Sequence, residues 1–140
     1  MNQEHVNTFF FPGAGFKPLL ISAGWQVAQL NDCEELHSDT VSRIERHNAS
    51  DEVFVLLRGH AILVTATQHA GQHQFELVQM EQGVTYNIPL GIWHTIITSP
   101  GMQVMIVEKN NTHLNDVTYY ALTDEEREVL RTKLEGAKDA

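Results

Sequence analysis

Apolar and β-branched residues fall into short runs divided by turn-forming residues, and no helical stripe occurs before the last quarter of the chain. Turn signals stand at Pro12-Gly13, Gly24, Asn31-Asp32, 48–51, Arg58-Gly59, Ala70-Gly71, 81–83, 89–91 and Pro100-Gly101. Glycine supplies the positive φ of tight turns, proline presets φ, and Asn and Asp bond their own backbone. The runs between them predict strands over 25–30, 41–47, 52–57, 61–67, 74–80, 84–88, 93–98, 103–109 and 117–122. Short strands at near-regular spacing, without strand–helix alternation, predict an all-β sandwich or barrel.

One segment departs from this pattern. Thr123-Asp124-Glu125-Glu126 has the Thr-x-x-Glu form of a capping box. Acids fill its first turn and Arg127, Arg131 and Lys133 follow, which suits the helix dipole. Val129, Leu130 and Leu134 can form one apolar stripe. A helix over 123–135, ended near Gly136 and covering a sheet or barrel end, is expected.

Composition narrows the function classes. The 140 residues are 42% hydrophobic and 19% charged, in the range of one globular domain over 1–140. Nine basic against 18 acidic residues give a net charge of −9. Such a chain is repelled by phosphate, which argues against nucleic-acid or anionic-membrane partners. Cys33 is the one cysteine, so neither an intrachain disulfide nor a multi-cysteine zinc site can form. No basic leader or long apolar run appears, and a cytoplasmic protein is expected.

Common catalytic signatures are missing: no phosphate loop, no Gly-x-Ser-x-Gly turn, no His-Glu-x-x-His. Gly13-Ala14-Gly15 runs into Pro18 and reads as a plain turn. His69 and His73 flank a turn and read as a solvated loop, with a surface metal site as the alternative. Cys33 reads as a small buried side chain rather than a nucleophile. Phe9-Phe10-Phe11 reads most simply as core, with a dimer contact as the alternative.

Two spaced patterns carry chemistry. In the first, Glu45 and His47 are two apart on one strand and share a face, while Ile44 points the other way. A short turn returns the chain into Glu52, at the mouth of the apolar run 53–57. A carboxylate there is costly unless paired or metal-bound. In the second, His94 likewise opens an apolar strand after the Pro89/Gly91 turn. Imidazoles and carboxylates converging from neighbouring strands suit a divalent-metal shell.

These spacings resemble the cupin superfamily, in particular its small single-domain members. Its first motif is Gly-x5-His-x-His-x3–4-Glu-x6-Gly and its second Gly-x5-Pro-x-Gly-x2-His-x3-Asn. His47, Glu52 and Gly59 match the first in order and spacing; Gly83, Pro89, Gly91 and His94 match the second. The leading Gly is Asp39 here, the first His is Glu45 and the final Asn is Thr98. The resemblance implies a double-stranded β-helix with its motif core at about 41–109. It also implies metal ligands His47, Glu52 and His94, with Glu45 in the fourth slot. Glu45 could instead hydrogen-bond only, or serve as a general base. The implied ion is Mn²⁺, Fe²⁺, Ni²⁺ or Zn²⁺, and a metal-free polar network is the alternative. Phe54, Leu56 and Ile96 would line the barrel, and Trp93 and Tyr86 are candidates for its pocket. The implied function is a metal-dependent enzyme on a small organic substrate, of dioxygenase, isomerase or lyase type. The alternative is a non-catalytic protein that binds or senses a small ligand. Small cupins also imply a homodimer.

Overall fold

The structure, a computed structural model, describes residues 5–138. One sheet holds, in order, β1 (Phe16–Ile21), β2 (Gln26–Asn31), β9 (Gln103–Glu108), β4 (Glu52–Arg58) and β7 (Thr85–Ile88). The other holds β10 (Thr118–Ala121), β3 (Arg43–Arg46), β8 (Trp93–Ile97), β5 (Ile62–His69) and β6 (Gln72–Gln79). Every named strand pair is antiparallel. From β2 to β10 the chain passes back and forth between the sheets, the winding of a double-stranded β-helix. A short α1 (Thr112–Asn115) precedes β10, and α2 (Asp124–Lys138) ends the described chain.

Alternation along the strands makes two cores. Ala28, Leu30, Phe54, Leu56, Leu63, Ile96, Val104 and Ile106 meet between the sheets. The opposite face of the second sheet gives Ile44, Val64, Ala66, Phe75 and Ile97, which pack against Leu130 and Leu134 of α2. One strand thus serves two cores: on β8, Ile96 faces inward and Ile97 faces the helix, as period-2 geometry requires.

The capping box forms as expected. Glu126 N–H donates to Thr123 Oγ1 at 3.1 Å and Thr123 N–H donates to Glu126 Oε1 at 3.0 Å. The helix passes Gly136 instead of ending there. Gly136 has open space about its Cα, and Gln79 Nε2 donates to the Ala137 carbonyl, which supports the last turn. Val129 is exposed, so the buried stripe is 126, 130 and 134, four residues apart.

Three other expectations need correction. β1 is not among the predicted strands: Pro18 breaks its pattern, and an edge strand with a bulge after Pro18 tolerates the missing N–H. Phe9 and Phe10 are exposed, not core. Their segment is held outside β2, where Gln29 Nε2 and Asn31 Nδ2 donate to the Phe11 carbonyl. His73 is buried in β6, not solvated, and its backbone and ring Nδ1 both meet Glu126 Oε2 at 2.9 Å.

Candidate metal centre

Four strand ends build the site. His47 follows β3, Glu52 opens β4 and His94 is the second residue of β8. Glu45 lies opposite His94 in the β3–β8 pair, and Glu108 lies opposite Glu52 in the β4–β9 pair. The turn between β3 and β4 is fixed from outside, because the Asp116 carboxylate accepts the backbone N–H groups of Asn48 and Ala49. Gly91 N–H donates to the His47 carbonyl at 2.7 Å, which ties the two motifs together.

The structure brings His47, Glu52 and His94 together, with one candidate ligand atom of each within 4.8 Å of the others. All three are buried. Glu52 Oε1 lies 3.2 Å from His47 Nε2 and 2.9 Å from His94 Nε2. The far nitrogens settle the ring states. His47 Nδ1 is 2.7 Å from the Asp116 carbonyl and His94 Nδ1 is 2.9 Å from the Ile92 carbonyl. A carbonyl only accepts, so both Nδ1 atoms carry protons. A neutral ring then presents its Nε2 lone pair to the centre.

Two lone pairs and a carboxylate oxygen cannot face one another without a positive species between them. Protons are one solution. Burial opposes charging His47, but the hydrogen bond and charge of Glu52 outweigh it and raise its pKa to about 9. His94 rises for the same reason against the same burial. A divalent cation is the other solution, and backbone carbonyls orienting ligating imidazoles are its usual support. The donor set therefore fits such an ion: two imidazole nitrogens and one carboxylate, from His47, His94 and Glu52.

Glu45 borders this set without joining the group within 4.8 Å. It lines the same cavity, and its carboxylate makes no hydrogen bond among the described residues. Burial and then the Glu52 charge raise its pKa. The sequence reading did not select Glu108, which is buried beside Glu52. Burial, then the hydrogen bond and charge of Glu52, push Glu108 up, while the two imidazoles hold Glu52 down despite its burial. Glu108 thus keeps a proton and Glu52 keeps the charge. The signal that found Glu52, a carboxylate at one end of an alternating apolar strand, also applies to Glu108.

The centre opens into a cavity of about 780 Å³ between the sheets. Leu30, Phe54, Ile96 and Ile106 give it apolar walls, and Arg43, Glu45, His113 and Tyr119 contribute polar groups. Leu56 lies within the inter-sheet core rather than on the cavity wall. Trp93 turns toward the helix-side core, where Arg46 stacks over its ring at 4.6 Å. Tyr86 sits against the inner core, with its hydroxyl accepting Glu81 N–H. Cys33 is half-buried on the wall, and burial and nearby Glu35 push its thiol up to about 11, so it is no ready nucleophile. Thr98, which stands in place of the motif's Asn, bonds Asp32 instead of the centre.

No family model matches the chain, and no curated protein matches it. Solved structures do. An RmlC-like cupin family protein with a double-stranded β-helix fold, from Methanocaldococcus jannaschii, aligns over 79% of this chain and 96% of its own. The identity is 12% and the TM-score 0.54. The chain has the cupin fold. A second structure of this fold, Streptomyces PAC13 with uridine, covers 87% of this chain and 96% of its own, at 11% identity and TM-score 0.55. The vicilin from Solanum melongena is a longer chain, of which this cupin-fold chain spans 24%, at 16% identity and TM-score 0.42. Among the described residues no helix is long and apolar enough to cross a membrane.

Proposed function

We propose that this cupin-fold protein is a metal-dependent enzyme. It holds Mn²⁺, Fe²⁺, Ni²⁺ or Zn²⁺ through His47, Glu52 and His94, and it converts a small organic substrate in the adjoining cavity. The observation that carries the reading is the shared ring state: both histidines are tied through Nδ1 to backbone carbonyls, so both Nε2 atoms serve the centre. The bound ion supplies Lewis-acid polarisation of a substrate oxygen, or a site for O₂. Dioxygenase, isomerase and lyase chemistry all suit that arrangement. The Glu45 carboxylate has no hydrogen-bond partner among the described residues and a raised pKa, which equips it to take a substrate proton as general base. Phe54 and Ile96 give the same cavity apolar walls, and Glu108 supports Glu52 through a side-chain hydrogen bond. The same reading takes residues 1–140 as a single cupin domain and the protein as a cytoplasmic homodimer. Exposed Phe9 and Phe10, which share a surface groove with Val27, Leu57 and Met105, support self-association.

Metal analysis of the purified protein, with calorimetry at neutral pH, tests the centre. One ion per chain is expected, and failure of all four ions to bind overturns the reading. A metabolite screen with the metal-loaded protein then separates the two functional classes. Turnover supports the enzyme, whereas saturable binding without turnover replaces it with a small-molecule sensor.

A further inference from the structure

The cavity has a second polar end that the metal centre does not use. Gln26 on β2 is fully buried. Its Oε1 accepts Asn111 N–H at 2.9 Å. A backbone N–H can only donate, so the atom facing it is the amide oxygen, and the other atom is the NH₂ group. That group lies 2.9 Å from Glu108 Oε2 and 3.2 Å from His113 Nδ1. An amide nitrogen donates and does not accept. His113 Nδ1 must therefore offer a lone pair, and the neutral ring carries its proton on Nε2. This is the reverse of the state that carbonyls impose on His47 and His94. Nothing among the described residues accepts the His113 Nε2–H, and the residue lines the cavity. Phe16 flanks the ring at 5.3 Å between centroids. Partial burial lowers the pKa of His113, which agrees with a neutral ring.

A fixed, neutral N–H donor on a cavity wall selects for an acceptor. We propose that His113, held in its Nε2–H state by Gln26, is a specificity-determining residue that binds a carbonyl or carboxylate oxygen of the ligand. Arg43 lines the same cavity, its guanidinium stacked on Tyr119 at 3.8 Å and its charge felt by Glu45. Among the described residues it is the one Lys or Arg on the cavity wall, and it adds a charge suited to the same oxygen-rich ligand. The inference rests on the metal-centre reading for the ligand's other end, but its test does not.

Long-range ¹H–¹⁵N spectra of wild-type protein at neutral pH read the ring states directly. His113 should carry a single proton, on Nε2, whereas His47 and His94 should each be protonated at Nδ1, the atom that faces a carbonyl. Gln26→Glu, which removes the donor facing Nδ1, should move the His113 proton to that atom. Pyruvate, which offers both oxygen types, is the binding probe, and trimethylammonium, which offers no acceptor, is the control. Pyruvate at millimolar concentration should shift the His113 Nε2–H resonance downfield, and trimethylammonium should leave it in place. His113→Phe should weaken pyruvate binding about fivefold or more. His113→Gln, which keeps an N–H donor, should restore most of it. Zn²⁺ affinity should be unchanged in both variants. A proton on Nδ1 or a charged ring in wild type overturns the inference. So does a resonance that pyruvate leaves unmoved, or undiminished pyruvate binding in His113→Phe. Loss of Zn²⁺ binding in wild type would be a failure of the metal-centre reading alone.

Discussion

Glu52 and Glu108 stand opposite each other across β4 and β9, and their carboxyls are driven apart: despite its burial Glu52 is held down by His47 and His94, while burial and then Glu52 push Glu108 up. Two bare carboxylates in that position would repel in a poorly solvated interior. Gln26 donates to Glu108 Oε2, so the pair belongs to a chain that runs from the centre to the second polar end of the cavity.

That chain predicts an asymmetric mutational outcome. Glu108→Gln keeps a donor for Glu52 and an oxygen for Gln26, so its stability at neutral pH should stay within about 1 kcal/mol of wild type. Glu108→Ala strands the buried Gln26 amide and should cost about 1–3 kcal/mol. Urea titration measures both. Equal losses would mean that Glu108 does not hold the proton.

The ring charges give the metal-free protein a pH signature. His47 titrates at about 9 in the folded chain, above its ordinary 6.5. Its stabilisation is therefore fully present below about pH 6.5 and is lost as pH rises through about 9. The raised pKa of Glu108 acts in the same direction. The His47 share is at most about 3 kcal/mol. In the presence of a chelator, Tm should fall between pH 6.5 and 9.5, and Glu52→Gln should remove most of that slope. Zn²⁺ should oppose the trend, because ligation needs rings free of the Nε2 proton and so strengthens as pH rises. A chelated wild type whose Tm is flat or rises over this range would contradict the charge assignment.

Helix α2 is latched through one carboxylate. Glu126 accepts from Thr123 N–H, His73 N–H and Tyr120 OH, and it meets His73 Nδ1. These partners and burial against it leave Glu126 with a pKa near 2. Thr123→Ala removes one cap bond and should cost about 1 kcal/mol. Glu126→Ala strands both buried donors of His73 together with the part-buried Tyr120 hydroxyl and should cost about 3 kcal/mol. Similar losses from the two variants would mean that the latch is only a cap.

Nine of the ten strands among the described residues, the capping box and the convergence of His47, Glu52 and His94 were legible because each leaves a local trace: alternation, a turn residue, or a polar group in an apolar run. β1 left none, since Pro18 and the preceding glycines read as a turn. Glu126 was legible as a cap at three-residue spacing, but its bonds to His73 span 53 positions and have no periodicity. Gln26 and His113 were invisible for the same reason: the bonds that give them meaning join β2 to α1 and β9. Phe9-Phe10-Phe11 misled because hydrophobicity reports a need for cover, not which surface provides it.

Those phenylalanines supply the assembly prediction. Phe10 is 67% exposed and Phe9 46%. Sedimentation should give about twice the chain mass of 15.8 kDa, and Phe9→Ser with Phe10→Ser should shift the protein toward monomer. A wild-type monomer at high concentration would remove the homodimer from the proposal.

The last prediction separates ligand from neighbour. His47 and His94 each contribute a lone pair at the centre, so His47→Ala or His94→Ala should abolish Zn²⁺ binding. The β-barrel should remain folded, since Phe54, Leu56, Val104 and Ile106 pack without the ion. Glu45 is the discriminating case. It faces His94 across the β3–β8 pair, yet it lies outside the 4.8 Å group. Its charge still acts on the site at longer range, so Glu45→Gln should weaken Zn²⁺ by about tenfold or less, a few tenths to 1.4 kcal/mol. If Glu45 is the base, that variant should lose most turnover while it keeps its metal. A loss of Zn²⁺ affinity as large as that of His94→Ala would instead make Glu45 a fourth ligand. Calorimetry of the three variants, with circular dichroism to confirm the fold, decides between these roles.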